Sequence, residues 1–264
     1  MSGLSLAVKR MALRASPGLA WRMAGYLDPD DGFNLRLARA LSDPHRLGLD
    51  IGGSWGLFAA AIIARVRELH VFEPNPEKAA YLSSALRGAV VHGIALSDEA
   101  GEVELFIPDL SSAMATIEAA NPARQLPGQR ALVRRERLDS LDLGSVGFIK
   151  MDVEGHEAAV LQGAEALLRR DMPAILVELE DRHRPDAVRL TSEWLRALGY
   201  RGYMLDKGVI RDIAQFDAAR DQSAAGLAAG GRGRYLNSFL FLGPDEAGAL
   251  RARLAAAGVP LPHG

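Results

Sequence analysis

A chain of 264 residues, 48% apolar and 24% charged, has the size and composition of one α/β domain with additions and ample material for a core. Its formal net charge of −2 argues against nucleic acid as the main partner, because neutralising a phosphate backbone takes clustered cations. Having no cysteine, it has no disulfide, thiolate zinc site or cysteine nucleophile; this suits a reducing compartment, and the cytoplasm is the expected location.

Residues 1–46 read as a helical N-terminal extension. Residues 1–22 carry Lys9, Arg10, Arg14 and Arg22 without an acid, which suits a basic helix on an anionic membrane, or one packed on the domain or on a second subunit as in a homo-oligomer. No apolar run approaches the roughly 20 residues that span a bilayer. The helical pattern through Arg36-Leu37-Ala38-Arg39-Ala40-Leu41 stops at Asp43-Pro44. From Leu47 a second unit, 47–264, alternates short apolar runs with helical stretches, the mark of βαβ units and a parallel sheet.

Its strands are expected at Leu47–Ile51, Leu69–Phe72 and Val90–Leu96, with helices at Leu57–Val66 and Glu77–Leu86 between them. Gly101–Pro108 alternates like an exposed strand, and 109–131 is a long aperiodic loop of the kind that often forms a lid. Strand Val146–Val153 leads into a single helix, Glu157–Arg170, whose Val160, Leu161, Ala164, Leu167 and Leu168 form one stripe. Strand Ala174–Leu179 and helix Asp186–Leu198 follow, the helix stopped by Gly199. Tyr200–Leu205 and Ser238–Leu242 then pair as an antiparallel hairpin at one sheet edge, around a glycine-rich Ala224–Gly233.

Two strand-to-helix junctions concentrate the chemistry, where an open α/β sheet binds its ligands. In Asp50-Ile51-Gly52-Gly53-Ser54-Trp55-Gly56, the glycines let a ligand approach backbone, but their spacing is not that of the dinucleotide fingerprint. Asp50 would repel a pyrophosphate and attract a cation. Glu73 ends the next strand about 20 residues on, where nucleotide folds place a ribose-binding carboxylate. A ribose-bearing cation fits all three features, and S-adenosylmethionine is one. The other junction, Ile149-Lys150-Met151-Asp152-Val153-Glu154-Gly155-His156-Glu157, gathers two carboxylates and an imidazole.

For attack by an alcohol, the base candidates are His156, since imidazole as a residue type suits proton acceptance at neutral pH, Asp152, Glu154, and Glu178 at the end of the following strand. Asp152 is in phase with Asp50 and is also placed to hold a cofactor amino group. A divalent cation on Asp152, His156 and Glu178 is permitted by ligand type but indicated by no spacing. Residues 109–131 and 208–236 are expected to shape the acceptor pocket.

Asp50–Gly56, Val71-Phe72-Glu73-Pro74-Asn75-Pro76, Ala95-Leu96-Ser97-Asp98 with Gly101, Arg137-Leu138-Asp139-Ser140-Leu141, Ile149–Glu157 with Leu161-Gln162-Gly163-Ala164, and Leu176-Val177-Glu178 resemble, in order, the motifs of FkbM-type methyltransferases over residues 47–206. The resemblance implies a Rossmann-like class I methyltransferase fold: a seven-stranded, mostly parallel sheet with an antiparallel C-terminal hairpin. It implies S-adenosylmethionine as cofactor and a hydroxyl of a sugar, glycolipid or polyketide-like small molecule as acceptor. By resemblance, Asp50, Gly52 and Gly56 border the methionyl and ribose parts, Glu73 the ribose hydroxyls, and Ala95 and Leu96 the adenine; Gly53, Ser54 and Pro74 are further cofactor-binding candidates, although Pro74 with Asn75 is expected chiefly to shape the turn. Ser54 departs from the family, which usually has Asn there. No Asn-Pro-Pro-Tyr-like segment follows the central strand, which favours oxygen over an exocyclic amine of nucleic acid. Other readings are a non-catalytic binding or scaffold module of the same fold and a nicotinamide oxidoreductase, the latter opposed by the glycine spacing and Asp50.

Overall fold

In the computed structural model, residues 17–18, 29–228, 234–244 and 247–259 are described. The basic segment 1–22 therefore lies almost entirely outside the described residues, as does the glycine-rich stretch 229–233.

Strands β1 (Leu47–Ile51), β2 (Glu68–Phe72) and β3 (Ala89–His92) run parallel. A small second sheet follows, made of β4 (Ala95–Leu96), β5 (Gly101–Pro108) and β6 (Gly128–Glu136). The chain then returns through β7 (Val146–Met151), β8 (Ala174–Glu178), β9 (Arg201–Asp206), β10 (Val209–Asp212) and β11 (Ser238–Leu242). The main sheet has the order β10-β9-β11-β8-β7-β1-β2-β3. Strands β1, β2, β3, β7 and β8 are mutually parallel, whereas β11 is antiparallel to both its neighbours. This is the expected mostly parallel α/β sheet with antiparallel C-terminal strands, but with eight strands in place of seven, because β10 adds a further edge strand.

Every residue of β1, β7 and β11 is buried, as expected of strands covered on both faces. One face packs under α1 (Pro29–Leu41), α2 (Leu57–Ile62) and α3 (Pro76–Ala85), with Leu37, Ala38, Leu41, Ile62 and Leu82 in its core. The other packs under α4 (Glu157–Gln162), α5 (Glu165–Asp171) and α6 (Ala187–Ala197), with Val160, Leu161, Leu168, Val188 and Leu195. Helix α1, expected as an extension, thus contributes to the main core.

Four local expectations need correction. The terminal pair does form antiparallel, but β11 inserts between β8 and β9 instead of lying at an edge. The edge is β10, joined to β9 by a tight turn at Lys207 and Gly208, both at positive φ. The run Val90–Leu96 divides, because β4 leaves the main sheet to pair with β6. Part of the aperiodic segment is strand: β6 begins at Gly128 and pairs along the whole of β5, from Gly101↔Arg135 to Pro108↔Gly128.

The fourth is the helix expected at Glu157–Arg170, which breaks into α4 and α5 at Gly163. There the backbone of Ser97 comes so close that a Cβ on residue 163 would lie 1.9 Å from its carbonyl oxygen. The Gly163 carbonyl accepts from the Asp139 backbone N–H, and Asp139 in turn caps α5 by accepting from the N–H groups of Ala166 and Leu167. Among the described residues, no helix is long and apolar enough to cross a membrane.

Candidate active site

Side-chain alternation and strand register place the polar groups of the central strands together. Asp50 pairs in register with Lys150, and Lys150 with Leu176, so Asp50, Lys150, Asp152 and Glu178 all project from the sheet face that carries α1 and α2. The order of the sheet reverses between β1 and β7, the switch point at which such sheets hold ligands.

Just past β1, Gly52 sits at φ +80°, and a Cβ there would lie 1.8 Å from the carbonyl oxygen of Asp152. Only glycine lets the first loop and the turn after β7 approach so closely. Gly53 and Ser54 continue the loop, and Gly56 is the N-cap of α2. Asp50 accepts from the Ala59 backbone N–H at 3.0 Å, and burial pushes its carboxyl up to about 6 although Lys150 opposes the shift.

Glu73, buried at the end of β2, accepts from the backbone N–H groups of Ser54 (2.7 Å) and Asn75 (2.9 Å). Burial raises its carboxyl, and Lys78 counters. Asn75 shapes the turn by capping α3, its side chain accepting from the N–H groups of Glu77 and Lys78.

Two adjoining cavities result. The smaller, about 120 Å³, has an apolar slot of Phe72, Ile94, Ala95, Leu96 and Leu105, with Glu73, Pro74, Lys78, Glu154 and His156 around it. The larger, about 880 Å³, is bordered by Asp50, Gly53, Asn75, Lys150 and Glu178 and by an apolar side of Trp55, Leu57, Phe58, Ile107, Pro108 and Leu110. Gly52, Ser54, Ala113 and Asp152 line both.

Segment 109–127 straps the smaller cavity, with Ala113, Ala115 and Ile117 against it. It is fastened by side chains: Thr116 Oγ1 and Asn121 Nδ2 both donate to the Glu154 carbonyl, at 2.8 and 2.6 Å. In the larger cavity, 109–131 contributes Asp109 to Ala113, Gln129 and Ala131. No described residue of 208–236 lines it, contrary to expectation; Arg234 instead pairs with Asp206 and Asp221, and Tyr235 donates to Glu180.

The candidate bases separate between the two cavities. His156 lines the smaller one, its Nε2 2.9 Å from Ser97 Oγ and its Nδ1 3.2 Å from Glu118 Oε2. Glu154 also lines the smaller cavity, and its carboxylate lies 3.3 Å from His183 Nε2. Burial, then the carboxylates of Asp152, Glu180 and Glu178, pushes Glu154 up to about 9.

Glu178 lines the larger cavity. Its Oε1 accepts from Lys150 Nζ at 3.2 Å and its Oε2 from Asn237 Nδ2 at 3.0 Å, and burial followed by Asp152 pushes it up to about 7. Lys150 is itself buried; burial opposes its charge, but Glu178, Asp152 and Asp50 together raise its ammonium above the ordinary value. The trio Asp152, His156 and Glu178 is therefore not assembled as a metal site. Among the described residues, no group of three or more His, Cys, Asp or Glu side chains is placed to hold a metal ion.

Sequence reasoning missed Lys150, Lys78, Glu118 and Phe58; Trp55, expected either to cover the cofactor or to pack beneath the lid, lines the larger cavity beside Phe58. Lys150 carries a signal, a lone lysine in an otherwise apolar strand and in phase with Asp152; Glu118, in an aperiodic loop, carries none.

No curated protein sequence matches the chain. The chain shares its fold with the crystal structure of a methyltransferase FkbM from Methylobacillus flagellatus KT, at 14% identity and a TM-score of 0.50. That alignment covers 89% of this chain and 58% of the other, so the chain spans less than two thirds of the longer protein. A rRNA methylase from Streptococcus thermophilus aligns at 10% identity and a TM-score of 0.43, over 79% of this chain and 91% of that one. A Streptococcus mutans protein assigned to the methyltransferases, in complex with SAH, aligns at 6% identity and a TM-score of 0.47, over 80% and 96%. The model of the methyltransferase FkbM domain matches residues 45–205, more than half of the chain. The chain belongs to the FkbM methyltransferase family.

Proposed function

We propose that the chain transfers a methyl group from S-adenosylmethionine to a hydroxyl of a small molecule such as a sugar, glycolipid or polyketide-like compound. The observation that carries this reading is the division of one cleft by Asp152 into an apolar slot beside the buried carboxylate of Glu73 and a larger cavity floored by Glu178 and Lys150. The residues fit the cofactor in chemistry. The slot of Phe72, Ala95 and Leu96 suits a purine, Glu73 suits a pair of ribose hydroxyls, and Asp50 and Asp152 suit an ammonium and a sulfonium.

Held there by Glu73 at the ribose and by Asp50 and Asp152 at the ammonium and sulfonium, S-adenosylmethionine would supply an electrophilic methyl group. The protein's main task is to align two reactants, because the barrier is lowered chiefly by orientation. An acceptor hydroxyl in the larger cavity must lose its proton around the moment of attack. Glu178 is the best-placed base: both its oxygens are oriented, by Lys150 and Asn237, and its proton affinity is close to neutrality. Lys150 is placed to stabilise negative charge developing on the acceptor oxygen. His156, the leading candidate from sequence, stands by the apolar slot with partners on both ring nitrogens, and its role is to fix the strap through Glu118.

The test has two arms. Titration calorimetry of the folded chain with S-adenosylmethionine and SAH should show saturable binding. Incubation with isotopically labelled donor and cell-extract fractions should then yield a labelled, alkali-stable ether product identifiable by mass. Absence of binding removes the cofactor assignment. Binding with no transfer to any fraction favours a non-catalytic module, and label in nucleic acid overturns the acceptor class.

A further inference from the structure

Lys78 is almost wholly buried in the first turn of α3, an uncommon place for a lysine. Its ammonium donates to Ser54 Oγ at 3.1 Å and to the Ser112 carbonyl at 2.6 Å. Ser54 belongs to the glycine loop, and its own N–H donates to Glu73. Ser112 opens the strap that roofs the smaller cavity, which Lys78 also lines. One cation therefore touches loop and strap beside the carboxylate expected to meet the ribose.

Four acidic groups act on it: Glu73 from the end of β2, Glu77 from its own helix, and Asp152 and Glu154 from the turn after β7. Asp50 in turn feels Glu73, and His156 lines the same cavity. Burial disfavours the charged forms of both Lys78 and Glu73, and each favours the charge on the other.

We propose that Lys78 is a positioning residue for the cofactor: it pins the glycine loop to the strap and places a cation beside the Glu73 carboxylate that would accept two ribose hydroxyls. This rests on reading the cleft as the S-adenosylmethionine site. Without the lysine, Glu73 retains only its two backbone donors against full burial, so it takes up a proton more readily and loses accepting capacity as pH falls. A purely space-filling role would give a deficit indifferent to pH.

The experiment is calorimetric titration of the full chain with SAH at pH 6.5 and 8.5, for the wild type and the variants Lys78→Met, Lys78→Gln and Lys78→Arg. Circular dichroism identifies which variants fold. Lys78→Met should bind SAH about tenfold more weakly than wild type at pH 6.5, the size of loss expected when one charged hydrogen-bonding group is removed, with the ratio shrinking at least threefold by pH 8.5. Lys78→Gln keeps a donor for Ser54 and Ser112 but no charge, and should show the same pH-dependent ratio. Lys78→Arg should stay within about threefold of wild type at both pH values.

The proposal is overturned if Lys78→Met or Lys78→Gln binds within twofold of wild type at both pH values, or if the deficit is equal at both. It is overturned as well if neither neutral variant folds, which would make Lys78 a structural residue. A wild type that does not bind SAH refutes the cofactor reading itself, so the two failures are told apart.

Discussion

The Glu154→Gln substitution should stabilise the protein, and by more as pH rises. Glu154 stands at a left-handed turn residue, φ 54°, with its carboxylate among Asp152, Glu178 and Glu180 and 3.3 Å from His183 Nε2. Burial, then those carboxylates, pushes it up to about 9 from the ordinary 4.5, while burial and Arg182 push His183 down to about 4. Near neutral pH the pair is thus a protonated acid beside a neutral imidazole, and a glutamine amide in its place is likewise uncharged.

In wild type, folding at pH 7 draws a proton onto a group that is ionised in the unfolded chain. At about 1.4 kcal/mol per unit, over the interval between 4.5 and 7, this costs about 3 kcal/mol. Glutamine carries no such cost. Because the folded-state value lies above the unfolded one, the stability tied to the proton is complete below about 4.5, declines as pH rises, and is lost by about 9. Glu178 and Glu157, each pushed up to about 7 chiefly by burial, and Asp50, up to about 6, slope the same way.

Thermal melts followed by circular dichroism at pH 5, 7 and 9 are the assay. The wild-type melting temperature should fall from pH 5 to 9. Glu154→Gln should match wild type within a few degrees at pH 5 and exceed it at pH 7 by roughly 6–12 °C, taking about 2–4 °C per kcal/mol for a chain of this size. A variant that melts lower than wild type at pH 7, or two curves that stay parallel from pH 5 to 9, would refute the protonated-acid account.

Gly52→Ala adds a methyl 1.8 Å from the Asp152 carbonyl at a positive φ, so it should remove measurable SAH binding and lower the melting temperature by several degrees; SAH affinity within threefold of wild type would show that the loop does not line the site. Glu73→Ala should weaken SAH by about 1–3 kcal/mol, the value of a buried charged hydrogen bond, which calorimetry reads directly as a fold-change in Kd. Glu178→Gln should leave SAH affinity within about twofold and lower the rate of labelled methyl transfer 10²–10⁴-fold. His156→Ala should do the reverse, loosening SAH through the strap while transfer at saturating cofactor keeps most of its rate; swapped outcomes for these two variants would return the role of base to the histidine.

Much of the fold was legible because its strands are short apolar runs ended by Gly, Pro or acids, and burial on both faces gives them no competing pattern. The same rule explains the misreadings. Glu157–Arg170 keeps an unbroken apolar stripe through Gly163, and only the approach of Ser97 from a distant part of the chain breaks the helix there. Strand β10 reads Val209-Ile210-Arg211-Asp212, too short and polar to stand out, and it becomes a strand because β9 offers it an open edge. In the site, the residues that pattern identifies are those at strand ends, where an acid interrupts an apolar run: Asp50, Glu73, Asp152 and Glu178.

What pattern cannot supply is which end faces which cavity. His156 and Glu178 are both polar residues at the mouth of the sheet, and a titration argument alone favours the imidazole. Register reverses that preference. Lys150 projects with Asp152 and Glu178 onto the α1–α2 face, into the space beside Phe58, whose ring centre lies 4.9 Å from its ammonium. His156, five residues past β7 and already committed to a helix start, turns instead toward Ser97 and the strap. Glu178 is thus proposed as base first on pleat and pairing, which bring it into the larger cavity beside Lys150; in the sequence its marks are the acid that ends an apolar strand and the lysine inside the neighbouring one.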